Sequence, residues 1–406
     1  MPTAIPPTRS NPPGNAGEVF VAFLRLGLTA FGGPIAHIGY LREAFVRRRG
    51  WLDDAHFAQL LAVCQFLPGP ASSQMGFGIG LARAGWRGAL AAFAGFTLPS
   101  ALLMLGFAAL APRLGAGAGT SALHGLKLVA VVVVAHGLLG MARQLAPDLP
   151  RLLLAAGAAA LVLATGNAWL QLAAIALGAV LGTWWCRQAA APTAALFPFG
   201  GGRRVAAVCL TLFLLGLLAA LLLPASATPT LAGVAAAFYR AGALVFGGGH
   251  VVLPLLQQSL VAPGWLPADS FLAGYGAAQA VPGPMFSLAA FLGADIPLGL
   301  PPAVGALVAL LAMFLPGFLL LAGMLPLWAG LVRHRRAASA MAGINAAVVG
   351  LLAAAFIDPV CSGGVRAPVD AAIAVVGFAL LAGLRWPAWT AVLWCVAAAV
   401  GIDALA

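Results

Sequence analysis

The sequence predicts an all-α polytopic membrane protein with two inverted-topology repeats and broken or re-entrant helices. Three observations predict this class. Of the 406 residues, 62% are hydrophobic and 8% are charged, whereas about a quarter of the residues in soluble domains are charged. Apolar segments long enough to span a hydrocarbon core recur along the whole chain. The same motifs then return after about 215 residues, which indicates an internal duplication.

About 13 hydrophobic segments follow one another. They cover residues 18–40, 55–80, 86–111, 122–145, 151–166, 168–186, 205–223, 231–256, 268–292, 301–330, 338–357, 369–384 and 388–404. The predicted domains are a disordered tail (1–17), a first repeat (18–186), a linker with one unpaired transmembrane helix (187–230) and a second repeat (231–406). The tail is rich in proline and lacks the apolar core of a signal peptide, so we expect no cleavage there.

Three motif pairs carry the duplication. Phe31-Gly-Gly33 matches Phe246-Gly-Gly248, Gly50-Trp51-Leu52 matches Gly264-Trp265-Leu266, and Pro68-Gly-Pro70 matches Pro282-Gly-Pro284. The first and eighth segments are equivalent, so an odd number of crossings separates them and the second repeat should insert upside down. Inverted repeats are common in secondary transporters, which bind their substrates near the midplane between the repeats.

Arginines predict the orientation. Most of those in loops fall on the side of the N-terminus, which places the N-terminus in the cytoplasm and the C-terminus in the periplasm. The loop of residues 41–54 also carries four arginines and would break this rule. It obeys the rule if segments 18–40 and 55–80 enter the membrane and return on the same side. We attribute the net charge of +11 to this orientation and expect no nucleic-acid partner.

The Pro-Gly-Pro motifs interrupt two apolar segments. Proline ends a helix and glycine lets the chain turn, so new helices should begin near Ala71 and Met285. Their free N–H groups would lie inside the membrane, where they can bind an anion; a packing kink is the alternative interpretation. The predicted substrate-binding residues at these breaks are Gln65, Pro68, Gly69, Pro70, Ser72, Ser73, Gln74, Gln279, Pro282, Gly283, Pro284 and Ser287.

The glycine breaks and the charges inside apolar segments extend this site. Arginine within a membrane segment is costly and commonly functional, and its fork suits an oxyanion, although a long side chain can also reach the interface. A histidine at such a break can bind an anion, carry a proton or be structural. The predicted substrate-binding residues of this second group are Arg25, Gly32, Gly33, Pro34, His37, Lys127, Arg240, Gly247, Gly248, Gly249 and His250.

Acidic residues are absent from the centres of the predicted segments. All ten lie at segment ends or in loops, whereas cation carriers and proton pumps usually need a carboxylate at depth. The path is therefore predicted to carry anions. The five cysteines show no CxxC spacing, so we expect neither a disulfide framework nor a metal site, and we expect no cofactor.

The stretches FLRLGLTAFGGPIAHIGYLREAFV, GWL and QFLPGPASSQ, with a degenerate second copy, resemble the chromate ion transporter (CHR) family in its long-chain, two-domain form. This resemblance implies a secondary active carrier in the bacterial inner membrane that exports chromate and confers chromate resistance, with sulfate as a second candidate substrate. In the second repeat Gly249 replaces the proline of the FGGP motif, and Met-Phe follows Pro284. We therefore expect the first repeat to contribute more to binding.

Other interpretations stay open at this point. A carrier that imports sulfate or molybdate would use the same features, since tetrahedral dianions are alike in size. A membrane-embedded enzyme for lipid phosphate would need a general base or metal ligands, and no such arrangement is evident, so we expect no enzyme activity. A channel would conduct without saturation. The expected partners are the anion, the lipid bilayer and a second copy of the chain in a homodimer.

Overall fold

The structure, a computed structural model, describes residues 14–114, 118–165, 168–186, 202–223, 226–246, 249–328 and 335–405. Within these ranges every regular element is helical, which confirms the all-α prediction. Six helical stretches are long and apolar enough to cross a membrane, namely Ala71–Leu114, Gly119–Leu145, Arg203–Leu222, Pro302–Leu327, Arg336–Gly364 and Ala388–Leu405. Shorter apolar helices lie between them, so the chain is a multi-pass membrane protein.

The first half of the chain contains seven helices over the residues that the structure describes. They are α1 (Ala16–Thr29), α2 (Gly33–Arg42), α3 (Asp54–Phe66), α4 (Ala71–Leu110), α5 (Ala118–Leu145), α6 (Leu149–Thr165) and α7 (Ala168–Trp185). A π-helical turn, Glu43–Arg48, extends α2, and a 3-10 turn, Ala111–Leu114, follows α4. Helix α8 (Arg203–Leu222) then leads into the second half.

The same order of elements returns after α8. The helices are α9 (Leu231–Leu244), α10 (Val252–Leu256), α11 (Ala268–Ala278), α12 (Leu288–Asp295), α13 (Pro302–Met324), α14 (Arg335–Ala355), α15 (Pro368–Phe378) and α16 (Ala388–Leu405). A π-helical turn, Gln257–Val261, again follows the second helix of the repeat, and a 3-10 turn, Leu325–Leu327, again follows the long one. The sequence duplication is thus matched element by element, while the exact domain boundaries stay a prediction.

Helices α1 and α2 form a hairpin that returns to its starting end. Helix α1 has 14 residues, about 21 Å, which is too short to cross a hydrocarbon core. The Phe23 and Phe45 rings stack at 4.6 Å across the hairpin. Arg83 binds Glu18 at 3.1 Å, and its guanidinium lies 5.2 Å from the Trp51 ring centroid. The start of α1 and the loop after α2 therefore lie together.

Helix α3 and the first part of α4 form a second hairpin of this kind. Helix α3 begins at Asp54, beside Trp51, and the chain comes back to the same place at Arg83. Helix α4 breaks there, since Ala84 and Gly85 have non-helical backbone angles, and its second part runs the full length of a span. The segments predicted at 18–40 and 55–80 thus both turn back, which is the geometry that would let the loop 41–54 obey the positive-inside rule.

The second repeat folds its hairpins in the same way. Trp265 follows α10, and its indole N–H donates to the Ser226 carbonyl at 2.9 Å, just before α9. At Gly233, in the first turn of α9, an added Cβ would lie 2.9 Å from the Trp265 ring. Ser270 at the start of α11 donates to Asp295 at the end of α12. Both hairpins therefore begin and end together.

The hairpins of the two repeats start from opposite ends of the long helices. Lys127, in the first half of α5, binds Asp269 at 3.1 Å, and Asp269 lies close to Trp265 in the chain. Helix α5 begins where the long second part of α4 ends, far from Arg83. We call the region of Glu18, Trp51 and Arg83 the Arg83 end, and the region of Trp265, Asp269 and Arg366 the Asp269 end. Opposed hairpins are the geometry that inverted repeats require.

The last helices of each repeat pack against the other repeat. Helix α16 packs along α5, and α7 packs along α14. Equivalent glycines allow the close approach: an added Cβ would lie 2.6 Å from the Val396 Cα at Gly125, and 2.6 Å from the Gly182 Cα at Gly343. The two repeats are therefore interlocked and form one core.

Candidate functional site

The four helix breaks meet at the centre of the molecule. The Gly69 amide of the first Pro-Gly-Pro motif donates to the Val245 carbonyl at 2.7 Å, where α9 has ended. The Gly283 amide of the second motif donates to the Ala30 carbonyl at 2.9 Å, where α1 has ended. Each Pro-Gly-Pro turn thus binds the broken first helix of the other repeat. The predicted breaks are confirmed, and the new helical turns begin at Ala71 and at Met285 as expected.

The central glycine of each Pro-Gly-Pro turn is required by the backbone. Gly69 has φ +125° and Gly283 has φ +99°, values that side chains rarely allow. An added Cβ at Gly69 would lie 3.0 Å from the Gly317 Cα, and one at Gly283 would lie 3.0 Å from the Ser100 Oγ. Gly317 and Ser100 each follow the proline inside a long helix, Pro316 or Pro99. The two turns therefore pack at equivalent positions, each beside the internal proline of a long helix.

His37 lies at this junction and is 1% exposed. Its Nε2 is 3.2 Å from the Ala30 carbonyl, which also accepts the Gly283 amide, and its Nδ1 is 3.5 Å from the Ser72 Oγ. The Nε2–H therefore donates to Ala30, and the Nδ1 can accept from Ser72. The Phe96 ring packs edge-on at 5.4 Å. Gly32 is the N-cap of α2 with φ +100°, Gly33 is its first residue with φ +75°, and Pro34 follows in the first turn.

Buried polar groups cluster at the start of α4. The Gln74 Nε2 donates to the Pro68 carbonyl at 3.0 Å and to the Gly317 carbonyl at 2.9 Å, which ties the two repeats together. Among the described residues, the Ser73 Oγ and the Gln74 Oε1 are buried without a hydrogen-bond partner. Unsatisfied groups of this kind cost free energy, so they favour a polar guest such as an ion or water. In the second repeat Ser287 is buried at the equivalent place.

The second repeat has its own histidine contact. The His250 Nδ1 is 2.7 Å from the Tyr275 Oη, and an added Cβ at Gly137 would touch the His250 ring. Gly249 is buried at the start of the 3-10 turn that carries His250. The predicted binding residues Gly247 and Gly248 lie outside the described residues.

The two predicted arginines differ in position. Arg25 is exposed on the same face of α1 as Val21 and Leu28, whereas Arg240 in α9 is half-buried. Across the part of the chain that the structure describes, neither side chain makes an ion pair. The structure thus places Arg25 on an outward face, and its role in binding stays a prediction.

Lys127 is buried and has an acidic partner that the sequence did not predict. Its Nζ lies 3.1 Å from the Asp269 Oδ1, and Arg366 binds the other carboxylate oxygen at 2.9 Å. Close by, His124 binds Asp370 at 2.8 Å. These contacts join α5, α11 and α15 at the Asp269 end, and Lys127 has an acidic partner there.

A pocket of about 350 Å³ opens at the Arg83 end between α3, α5, α6 and α14. Its polar lining residues are Gln65, Gln144, Arg151 and Asn345. Gln65 and Phe66 end α3 just before the first Pro-Gly-Pro turn, so one wall of the pocket leads into that turn along the chain. Sequence reasoning predicted Gln65 but missed Gln144 and Arg151, because both lie at helix ends that seemed to be ordinary loop boundaries.

The repeat relation connects this pocket to the ion pairs. Gln65 is equivalent to Gln279, and Asn345 is equivalent to Lys127. The Gln279 Nε2 is buried without a hydrogen-bond partner among the described residues. Equivalent helix positions thus line a pocket at the Arg83 end and carry the Lys127–Asp269 ion pair at the other.

Comparisons with known proteins agree with these features. The family profile described as "Chromate transporter" matches residues 17–183 and again 232–402. The chain is 29% identical to the "Chromate transport protein" of Pseudomonas aeruginosa, covering 87% of this chain and 82% of that protein. It is 30% identical to the "Probable chromate transport protein" of Synechococcus elongatus, with 82% of each chain covered. It is 28% identical to the "Chromate transport protein" of Cupriavidus metallidurans, covering 84% and 81%.

No solved structure matches the chain. The family profile matches both repeats and together covers most of the described residues. The chain belongs to the chromate transporter family.

Proposed function

We propose that this protein is a secondary active carrier that exports chromate from the cytoplasm by alternating access. One observation carries the proposal: a pocket at the Arg83 end is lined by Gln65 and Asn345, while Lys127, the equivalent of Asn345, is paired with Asp269 at the other end. We take the first path as open and the second as closed. A carrier that exposes its site to one side at a time needs one open and one closed path. Rocking one repeat against the other would exchange the two states.

The direction follows from the arginines. Arg83, Arg87 and Arg143 lie at or near the Arg83 end, together with the arginines of the loop 41–54. The positive-inside rule places this end in the cytoplasm of a bacterium with the chain in its inner membrane, the N-terminus inside and the C-terminus in the periplasm. The pocket then opens toward cytoplasmic chromate.

The central junction supports an anion as the cargo. It offers hydroxyl and amide groups from Ser72, Ser73, Gln74 and Ser287 near two helix starts, where the helix dipole is positive. The membrane potential favours export, since moving two negative charges outward gains about 4.6 kcal/mol per 100 mV. The anion leaves chemically unchanged, as expected of a transporter family.

The test is chromate uptake into everted membrane vesicles, with and without excess sulfate. Saturable uptake driven by an inside-positive potential in the vesicle supports export, and a control vesicle without the protein should show none. Arg240→Gln and Arg25→Gln test the two predicted arginines, and we expect the half-buried Arg240 to matter more. Uptake of sulfate with no competition from chromate would favour a sulfate carrier instead.

A further inference from the structure

We infer that the pocket at the Arg83 end is an oxyanion-binding site in which Arg151 supplies the charge and Gln65, Gln144 and Asn345 supply amide donors. The inference rests on the proposed transport function and deepens it. It assigns the first recognition of the substrate to residues that precede the central junction.

Arg151 is suited to hold an incoming anion. Among the ten lining residues that the structure describes, it is the one ionisable side chain. The side chain is 16% exposed, and its Nε lies 3.4 Å from the Asp148 Oδ2, too far for a good charged hydrogen bond. The Asp148 side chain is 49% exposed, so water screens it. Much of the attraction of the guanidinium therefore remains available to another oxyanion.

The position of Arg151 is fixed where α6 begins. The Arg151 backbone N–H donates to the Asp148 carboxylate at 3.0 Å, and the side chain is largely buried. A planar fork that is confined in this way loses less freedom when it binds a tetrahedral oxyanion.

The amides complete the donor set without adding charge. The Gln65 and Gln144 side chains are exposed to the pocket, and the Asn345 Oδ1 is enclosed without a partner among the described residues. With its oxygen turned inward, Asn345 presents its Nδ2 donors to the open side. None of the lining residues is acidic, and the neighbouring carboxylate of Asp148 is half exposed, so water weakens its repulsion of an anion.

The second repeat shows that this architecture accommodates an oxyanion. At the equivalent place Lys127 replaces Asn345 and binds the Asp269 carboxylate together with Arg366. A carboxylate is itself an oxyanion, and it is held there by a cation from the same helix position that Asn345 occupies in the pocket. Among the lining residues that the structure describes, no carboxylate takes the part that Asp269 has at the other end, and Arg151 supplies a cation close by. With a single positive charge, the pocket would bind a dianion weakly enough to release it toward the central junction, as a carrier requires.

Equilibrium binding to the full chain in detergent tests the inference, with radiolabelled sulfate and chromate as probes. We expect Arg151→Gln to raise the Kd at least about tenfold, which corresponds to about 1.4 kcal/mol. Arg143→Gln is the matched control, because it removes the same charge from an exposed position at the same end outside the pocket lining. It should change the Kd less than twofold.

Asn345→Leu provides a second variant with the same number of side-chain heavy atoms that leaves the charge in place, and we expect about a threefold rise in Kd. Thermal unfolding shows whether each variant folds. If one variant does not fold, the Kd of the other variant decides the test. A folded Arg151→Gln or Asn345→Leu protein with unchanged Kd and unchanged transport KM would overturn this site while leaving the transport function intact. A wild-type protein that neither binds nor transports either anion would instead refute the proposed function.

Discussion

Removing the carboxylate of Asp269 should open the closed end of the carrier. Lys127 is 6% exposed and its Nζ lies 3.1 Å from Asp269, which is 58% exposed. Two charges at this distance attract by about 5 kcal/mol at an effective dielectric constant near 20, and by about 1 kcal/mol in water. Because Asp269 is half exposed, we take about 2 kcal/mol as the stabilisation lost in Asp269→Asn. The population open at this end should rise about 30-fold.

Thiol labelling measures this opening. Ala280 follows Gln279 and is equivalent to Phe66, which lines the pocket at the other end. A cysteine placed at Ala280, in a chain whose five native cysteines are replaced, should react slowly with a membrane-impermeant reagent applied to the periplasmic side. Asp269→Asn should accelerate the reaction by about the same 30-fold factor.

The matched control is Asp54→Asn. It removes one partner of the Arg42–Asp54 ion pair, whose atoms are 2.6 Å apart, but both of its side chains are at least half exposed. It should change the labelling rate less than twofold, since such surface pairs contribute little. If Asp269→Asn also left the rate within twofold of the parent, the ion pairs would not be a gate and the reasoning would be refuted.

Three further predictions concern stability and transport. Gly69→Ala should abolish transport and lower the free energy of unfolding by more than Gly299→Ala does. Both residues have positive φ, which costs an alanine about 1–2 kcal/mol, but an added Cβ at Gly299 meets nothing within 4 Å. Equal losses of unfolding free energy would contradict the close contact of Gly69 with Gly317. His37→Leu should destabilise the protein by about 0.5–1.5 kcal/mol, since it removes one donor to the Ala30 carbonyl, which keeps the Gly283 amide. His37→Gln should lose less, and equal unfolding temperatures for wild type and His37→Leu would count against the junction. Asp53→Ala should cost about 1 kcal/mol, because Asp53 caps α3 through the His56 amide at 2.8 Å. Burial acts to raise the pKa of Asp53, but hydrogen bonds from the His56 amide and ring outweigh it and lower that pKa below 3.8. The stabilisation is therefore present above pH 3.8 and is lost as the pH falls through the lowered value, so unfolding of wild type and variant should converge in acid.

The sequence was sufficient to predict where the helices break, but not which residues bind the backbone at those breaks. Proline and glycine act on the backbone locally, so the ends of α3 at Phe66 and of α11 at Ala278 followed from the motifs alone. The motif repeat also indicated that these breaks are equivalent. The bonds from Gly69 to Val245 and from Gly283 to Ala30 join residues more than 170 positions apart, and no local pattern encodes such a pairing.

Ion pairing was the weakest part of the sequence prediction. Lys127 lies within an apolar segment, which suggested that its charge serves the substrate. Its partner Asp269 is 142 positions away at a segment end, so no local pattern indicated the pair. The structure brings them together at the Asp269 end. Arg151 showed the reverse problem, since an arginine at the start of a helix is typical of an interface residue, and only the packing of α3 and α14 makes a pocket beside it.

The crosswise bonds between Pro-Gly-Pro turns and broken helices bear on how the chain is made. When the ribosome has finished the first repeat, the Gly69 amide lacks the Val245 carbonyl, and the Ala30 carbonyl lacks the Gly283 amide and has His37 alone as a donor. Gly283 is added 214 residues after Gly69, which takes about 10–40 s at ordinary rates of synthesis. Unpaired backbone groups are costly in lipid. The nascent first repeat must therefore stay hydrated or shielded by the insertion machinery until its inverted twin arrives.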